Sequence, residues 1–217
     1  MKPLIKICGL STPETVSAAL DHGADMIGFI FFPKSPRNVS VEQAAKLRQA
    51  SIGRAKAVAV SVDASDAALE AIVSGMKPDM LQLHGHESPE RVAAVKERFG
   101  LPVMKAISIR ERVDLDQMAD YIGIADQFLL DAKAPEGSAL PGGNGVSFDW
   151  TLLSALDPSL IYMLSGGLNA DNVASALAMT HAPGLDVSSG VESAPGVKDI
   201  AQIGKFFAAV AADGEKR

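Results

Sequence analysis

Short apolar runs recur along the chain at near-even spacing. They are LIKIC (4–8), MIGFIFF (26–32), AKAVAVSV (55–62), DMLQLHG (79–85), PVMKAIS (102–108), QFLLD (127–131), LIYMLSG (160–166) and GLDVSSG (184–190). Runs of this length, bounded by glycine, proline and polar residues, predict eight strands. Most are followed by a segment of helical period. PETVSAALDHG sets Val16, Ala19 and Leu20 on one face and stops at Gly23. SVEQAAKLRQA starts from Ser40 as N-cap and carries Val41, Ala44 and Leu47 along one side, with the Arg48 stem free to take its charge out to water. In SPERVAAVKERFG, Ser88 caps, Pro89 opens the helix, Val92, Val95 and Phe99 face inward, and Gly100 stops it. NADNVASALAM and VKDIAQIGKFFAAVA close the series.

Strand and helix alternate to the end with no long polar linker. That alternation predicts parallel strands joined by right-handed crossovers, and eight such units close into a (β/α)8 TIM barrel, read as a single domain over residues 1–217. The rival is an open doubly wound sheet. Its G-x-G-x-x-G fingerprint after the first strand is absent, since Cys8-Gly9-Leu10-Ser11 offers one glycine, and no Walker-type loop is present. A barrel places its chemistry at the C-terminal ends of the strands and in the loops beyond them.

Composition narrows the function classes. Hydrophobic residues are 47% and charged residues 21%, ordinary for a globular chain. A net charge of -6 with scattered basic residues argues against a nucleic-acid partner, which demands clustered Lys and Arg. One cysteine excludes an intrachain disulfide and a multi-thiolate metal site, and fits a reducing compartment. MKPLIKIC lacks a signal-peptide core and no run approaches the ~18 to 20 apolar residues that span a bilayer, so a cytoplasmic protein without a membrane partner is expected. No heptad seam appears, and a monomer is the simple expectation.

Strand one ends in the lone Cys8. Free cysteine is often just a small buried hydrophobe. A functional thiol needs a nearby cation or amide dipoles, and Lys6, two residues back on the same face, is a candidate. After strand two, FFPKSPRNVS carries Arg37 behind two prolines, either a solvated loop charge or a fork for a carboxylate or phosphate. Strand four ends in Gln82-Leu83-His84-Gly85-His86, where His-x-His has metal-ligand spacing. The remaining histidines, His22 and His181, lie by helices, so no metal is expected; Gln82 and His84 read as polar lining and His86 as loop. Asp131 ends strand six, where it either caps loop amides or, with its pKa raised by apolar walls, serves as a general acid. The glycine-bearing stretch after it, around residues 133–147, has the length of a lid. Glycines and serines follow strands seven and eight in LSGGLNADN and DVSSGVE. Exposed amides before a helix hold phosphate, and barrels favour this place for it.

These strand ends resemble the phosphoribosylanthranilate isomerase family of tryptophan biosynthesis. KICGL (6–10), GFIFFPKSPRNV (28–39), QLHG (82–85), LLDAK (129–133), PGGNGVSFDW (141–150), LSGGLNADNV (164–173) and DVSSGVESAPGVKD (186–199) carry the resemblance, in family order. The asparagine of GGNG stands where a threonine or similar residue is expected, at a loop tip where it should carry little weight. The resemblance implies a cofactor-free Amadori rearrangement of N-(5-phosphoribosyl)anthranilate to the 1-deoxyribulose phosphate. It implies Asp131 as acid and Cys8 as base. Arg37 would hold the anthranilate carboxylate, and Gln82, His84 and Asp186 would line the sugar. Gly166, Gly167, Leu168, Ser188, Ser189 and Gly190 would hold the phosphate. Competing readings are a Schiff-base aldolase using Lys105 or Lys133, the histidine-pathway sugar isomerisation, for which two carboxylates are expected, and a non-catalytic phosphate binder.

Overall fold

Eight parallel strands close on themselves in sequence order in the computed structural model, which describes residues 2–135, 137–138, 140–157 and 160–214. They are β1 (Leu4–Cys8), β2 (Met26–Phe31), β3 (Lys56–Ser61), β4 (Met80–Leu83), β5 (Val103–Ile109), β6 (Gln127–Ala132), β7 (Tyr162–Leu164) and β8 (Gly184–Val187). The last strand pairs with the first, Lys6 opposite Asp186. Helices α1 (Pro13–Asp21), α2 (Val41–Arg48), α3 (Asp66–Met76), α4 (Pro89–Phe99), α5 (Arg112–Asp116), α6 (Val173–Thr180) and α7 (Ile200–Gly214) return the chain. After β6, among the described residues, a short 3-10 turn, Trp150–Ala155, stands in the helix position.

Ser40 and Ser88 cap α2 and α4 through their hydroxyls, and Gly100 ends α4 in the left-handed region, as the sequence predicts. The segment after β3, to which the periodicity assigns no element, is α3, capped by Ser65. Several strands are shorter than their apolar runs, β7 and β8 because the chain leaves the ladder at the glycines and serines that follow them. The expected last helix starts late. Val197–Lys198 is a strand, β10, paired antiparallel with β9 (Glu192–Ala194), and Asp199 caps α7 at the Gln202 amide. The Pro195-Gly196 turn between them, with Gly196 at φ +82°, forces this hairpin.

The alternation of side chains divides the interior in two. Outward positions such as Ile5, Ile7, Ile27 and Phe29 pack against the helices, with Val16, Ala19 and Leu20 of α1 among their partners. Inward positions form a smaller core of Met26, Val58, Met80, Met104, Leu129 and Met163 with Cys8 at its edge. Four methionines suit a tapering, irregular space, since the thioether adapts to gaps. At the foot of the barrel an aspartate one residue before β2, β4 and β6 reaches back to an amide of the preceding strand. Asp25 accepts from Ile5 at 2.8 Å, Asp79 from Ala57 at 2.7 Å and Asp126 from Val103 at 2.8 Å. At other junctions a backbone carbonyl serves, from Pro102, Ile161 or Pro183.

Burial acts against the Asp126 carboxylate, but Lys96 and the Val103 amide together hold its pKa below the usual carboxylate range. Asp126→Ala leaves that strand amide without a partner. It should lower stability by about 1–3 kcal/mol in urea denaturation at neutral pH. A depressed folded pKa stabilises above the unfolded value and is lost as pH falls through the folded one. The gap between variant and parent should therefore narrow below about pH 4. A pH-independent gap would contradict the charge's part in it.

Candidate active site

The register aims the inward residues at the strand ends into one cavity, the kind of concave, largely apolar site that takes a small molecule. Cys8, Arg37, Gln82, His84, Asp131, Gly166, Gly167, Leu168, Asp186, Ser188 and Ser189 all line it. Gly190 does not. A Cβ there would fall 1.8 Å from the Leu168 carbonyl oxygen, so it lies behind the wall, where its missing side chain lets the loops after β7 and β8 touch.

Cys8 is 5% exposed, and Gly28 of the neighbouring strand leaves it room, since a Cβ at that glycine would lie 2.9 Å from Sγ. Below it Lys6 is wholly buried with Nζ 2.7 Å from Asp186 Oδ1, while Ser165 Oγ lies 3.4 Å from the other oxygen. Burial pushes the Cys8 thiol above its ordinary pKa. Lys6 pulls it down, Asp186 pushes it up and Lys198 pulls it down, but burial prevails. Burial likewise opposes the Lys6 charge, yet Asp186 and Cys8 together hold its pKa above the ordinary value.

Asp131 is buried across the cavity, accepting from the Ala132 amide at 3.0 Å. His84 Nε2 lies 3.3 Å from Asp131 Oδ2, without the alignment of a hydrogen bond. The Gln82 amide meets His84 Nδ1 at 2.9 Å; donating there, it leaves the ring proton on Nε2, facing the carboxyl. Gln82 Oε1 and His84 Nε2 are buried polar atoms without a hydrogen-bond partner, and both residues line the cavity. Such orphans cost free energy unless something else fills them, which marks them as ligand-facing. The loop after β6 closes over this pair. A Cβ at Gly142 would meet both the Asp131 carboxylate and the His84 ring, so only glycine fits there. Of the lid expected over 133–147, Glu136 and Ala139 lie outside the described residues. Asn144, read as idle from the sequence, ties this loop by donating to Leu140 O at 3.2 Å and sitting 3.1 Å from Ser138 Oγ.

Arg37 is no solvated loop charge. It is buried, and its fork binds Glu192 through Nε at 2.7 Å and Nη2 at 2.9 Å, with Nη2 also donating to Gly143 O at 3.2 Å. Lys198 donates to the same Glu192, to Ser188 O at 3.0 Å and to Ser188 Oγ at 3.2 Å; that hydroxyl in turn donates to the Cys8 carbonyl at 3.0 Å. Burial works against the Glu192 charge, but Arg37 and Lys198 hold its pKa below the usual range; burial also pulls Lys198 below its own ordinary value. Sequence reasoning missed Glu192 and Lys198, treating them as parts of a glycine loop and a helix. The Pro-Gly turn between them was the available signal.

Neither lysine of the aldolase reading lines the cavity. Lys105 is buried against Glu87 at 2.9 Å and donates to the Gly85 carbonyl at 2.7 Å, fastening the loop after β4, and Lys133 pairs with Asp114 at 3.2 Å. His86 is exposed on its loop, and among the described residues no group of three or more His, Cys, Asp or Glu is arranged to hold a metal. Among them, too, no helix is long and apolar enough to cross a membrane.

Residues 5–209 match the family model of N-(5'phosphoribosyl)anthranilate (PRA) isomerase. A Brucella canis N-(5'-phosphoribosyl)anthranilate isomerase is 67% identical over 207 residues, covering 95% of this chain and 93% of the relative. The crystal structure of phosphoribosyl anthranilate isomerase from Thermotoga maritima superposes with a TM-score of 0.87 at 33% identity, covering 97% of this chain and 99% of that one. A structure of such an isomerase in complex with reduced 1-(o-carboxyphenylamino)-1-deoxyribulose 5-phosphate gives 0.84 at 31% identity, covering 97% and 99%.

With a single cysteine in the chain, the state of Cys8 is directly measurable. Its alkylation by iodoacetamide should show a pH midpoint above the ordinary 9.0, because burial favours the thiol. A midpoint below that value would mean that the cations outweigh burial.

Proposed function

The chain belongs to the N-(5'-phosphoribosyl)anthranilate isomerase family, and from that premise we propose how its own residues carry out the Amadori rearrangement. Asp131 protonates the ring oxygen of the phosphoribosyl group, and the furanose opens to an iminium at C1′. Cys8 as thiolate takes the hydrogen on C2′. The C–H electron pair becomes the C1′–C2′ double bond of an enolamine, and the iminium nitrogen regains its lone pair. Moving the C2′ hydroxyl proton to C1′ then gives the ketone. Cys8 is left protonated and Asp131 ionised, and one proton passed between them through solvent restores both. C2′ is oxidised and C1′ reduced within the substrate, so atoms and electrons balance without an added oxidant or reductant.

The observation that carries this reading is that Cys8 and Asp131, far apart in sequence, line one cavity. His84 beside the Asp131 carboxyl steers it, and Gln82 steers His84. Arg37, clamped from behind by Glu192, offers the rest of its guanidinium to the anthranilate carboxylate. Gln82, His84 and Asp186 face the sugar. The amides of residues 166–168 and 188–190 take the phosphate, a role supported by the positive φ of Gly166 and Gly167 and by the contact of the two loops at Gly190. The whole chain serves as one cytoplasmic catalytic unit in the tryptophan pathway. An aldolase is disfavoured because neither candidate amine reaches the cavity wall.

Cys8→Ala and Asp131→Asn, each folded by circular dichroism, should lower kcat by about 10²–10⁴-fold. Turnover is followed as the loss of anthranilate fluorescence with no cofactor added; wild-type rates in either variant would remove that residue from the mechanism. Gly142→Ala pushes a methyl group against Asp131 and His84. It should cost about 10²-fold in kcat/KM, the scale of an ångström-sized misplacement, with little change in melting temperature.

A further inference from the structure

Lys6 is wholly buried, and the inward core it joins is made largely of methionine and aliphatic groups. Packing alone does not call for an ion pair there. A buried pair gains little over well-packed apolar residues, because its attraction must first offset the loss of hydration. Geometry suggests what else it does. Lys6 and Cys8 stand two residues apart on β1 and so on the same inward face. A Cβ at Gly28 would lie 2.9 Å from Cys8 Sγ and 3.3 Å from Lys6 Cε, so the sulfur and the lysine stem border the same small space that this glycine leaves open. From the other side Asp186 grips Nζ at 2.7 Å.

We propose that Lys6 is a positioning residue for the base of the reaction, its ammonium serving as the counter-charge of the Cys8 thiolate, with Asp186 as the alternative partner of the same ammonium. While Cys8 is a thiol, the charge of Lys6 is satisfied by Asp186. When the thiolate forms, the ammonium is shared by sulfur and carboxylate. As Sγ takes the substrate hydrogen, the new S–H bond removes the negative charge from sulfur and the ammonium returns wholly to Asp186. No proton leaves Lys6. Other charged groups face this point: Lys198 from β10, through Ser188 on the Cys8 carbonyl, Asp131 and His84 from across the cavity, and Arg37 with its charge met by Glu192.

This rests on Cys8 as the base, yet its test needs no substrate. The pH midpoint of iodoacetamide alkylation is compared in the intact chain and in the Lys6→Met, Asp186→Asn and double variants, each checked for folding. Removing the cation should raise the midpoint by about 1 to 3 pH units, the usual effect of an opposite charge at close range. Asp186→Asn should lower it, since Cys8 then becomes the nearest anionic partner of Lys6. Lys6→Met strands a buried carboxylate; if it fails to fold, the double variant, which removes both charges, replaces it and should titrate above Asp186→Asn. A merely structural pair would speed alkylation at every pH without separating the midpoints. Coincident midpoints, or both variants shifting the same way, would overturn the proposal. Full turnover in Cys8→Ala would instead overturn the assignment of the base, leaving the midpoints to judge Lys6 separately.

Discussion

The barrel closes where its last strand meets its first, and an ion pair spans that seam. Lys6 and Asp186 are register partners as well as charge partners, so one contact joins closure of the fold to the floor of the site. Once β1 and β8 are held in this register, strand alternation dictates the positions above it. Cys8 must face inward above Lys6, and Ser188 must lie beside it, where its hydroxyl caps the Cys8 carbonyl. Slipping β8 by one residue against β1 would send Asp186 outward among the helices and leave Lys6 inside without it.

A second cluster flanks the same cysteine. Arg37 and Lys198 converge on the single carboxylate of Glu192, two cations around one anion. The protein carries a net charge of -6, and its surface field disfavours anions. The one surplus positive charge of this cluster works against that field beside the cavity proposed to take a substrate with a carboxylate at one end and a phosphate at the other. Because these cations are buried and hydrogen-bonded, salt screens them far less than it would surface lysines.

The architecture was legible in the sequence because each strand carries its own local signal. So were the helices with serine caps and glycine stops. The strand-end residues could be picked out one by one once a barrel was assumed, with their roles implied by the family resemblance, and Cys8, Asp131, His84 and Arg37 do line one cavity. What escaped depends on pairings distant in sequence. Nothing local in Glu192 announces that it will clamp Arg37, 155 positions earlier. Lys105 was considered as a reactive amine because its strand reads like any other; only the return of Glu87 to meet it makes it a fastener of the loop that bears His84. The late start of α7 was a local error, since the turn residues ahead of it outweighed the helical period.

The aspartates at the foot of the barrel have a further implication. Asp25, Asp79 and Asp126 perform the same task for successive strand pairs, each bonding to the preceding strand through its own amide as well as its side chain. Three quarters of the circle is thus assembled from like-built modules, strand, helix and strand with a common fastening. In the final quarter Pro183 stands at that position; it has no amide to give, and its carbonyl accepts instead from Leu4 of β1. The quarter that lacks this fastening is the one that supplies both glycine-rich loops.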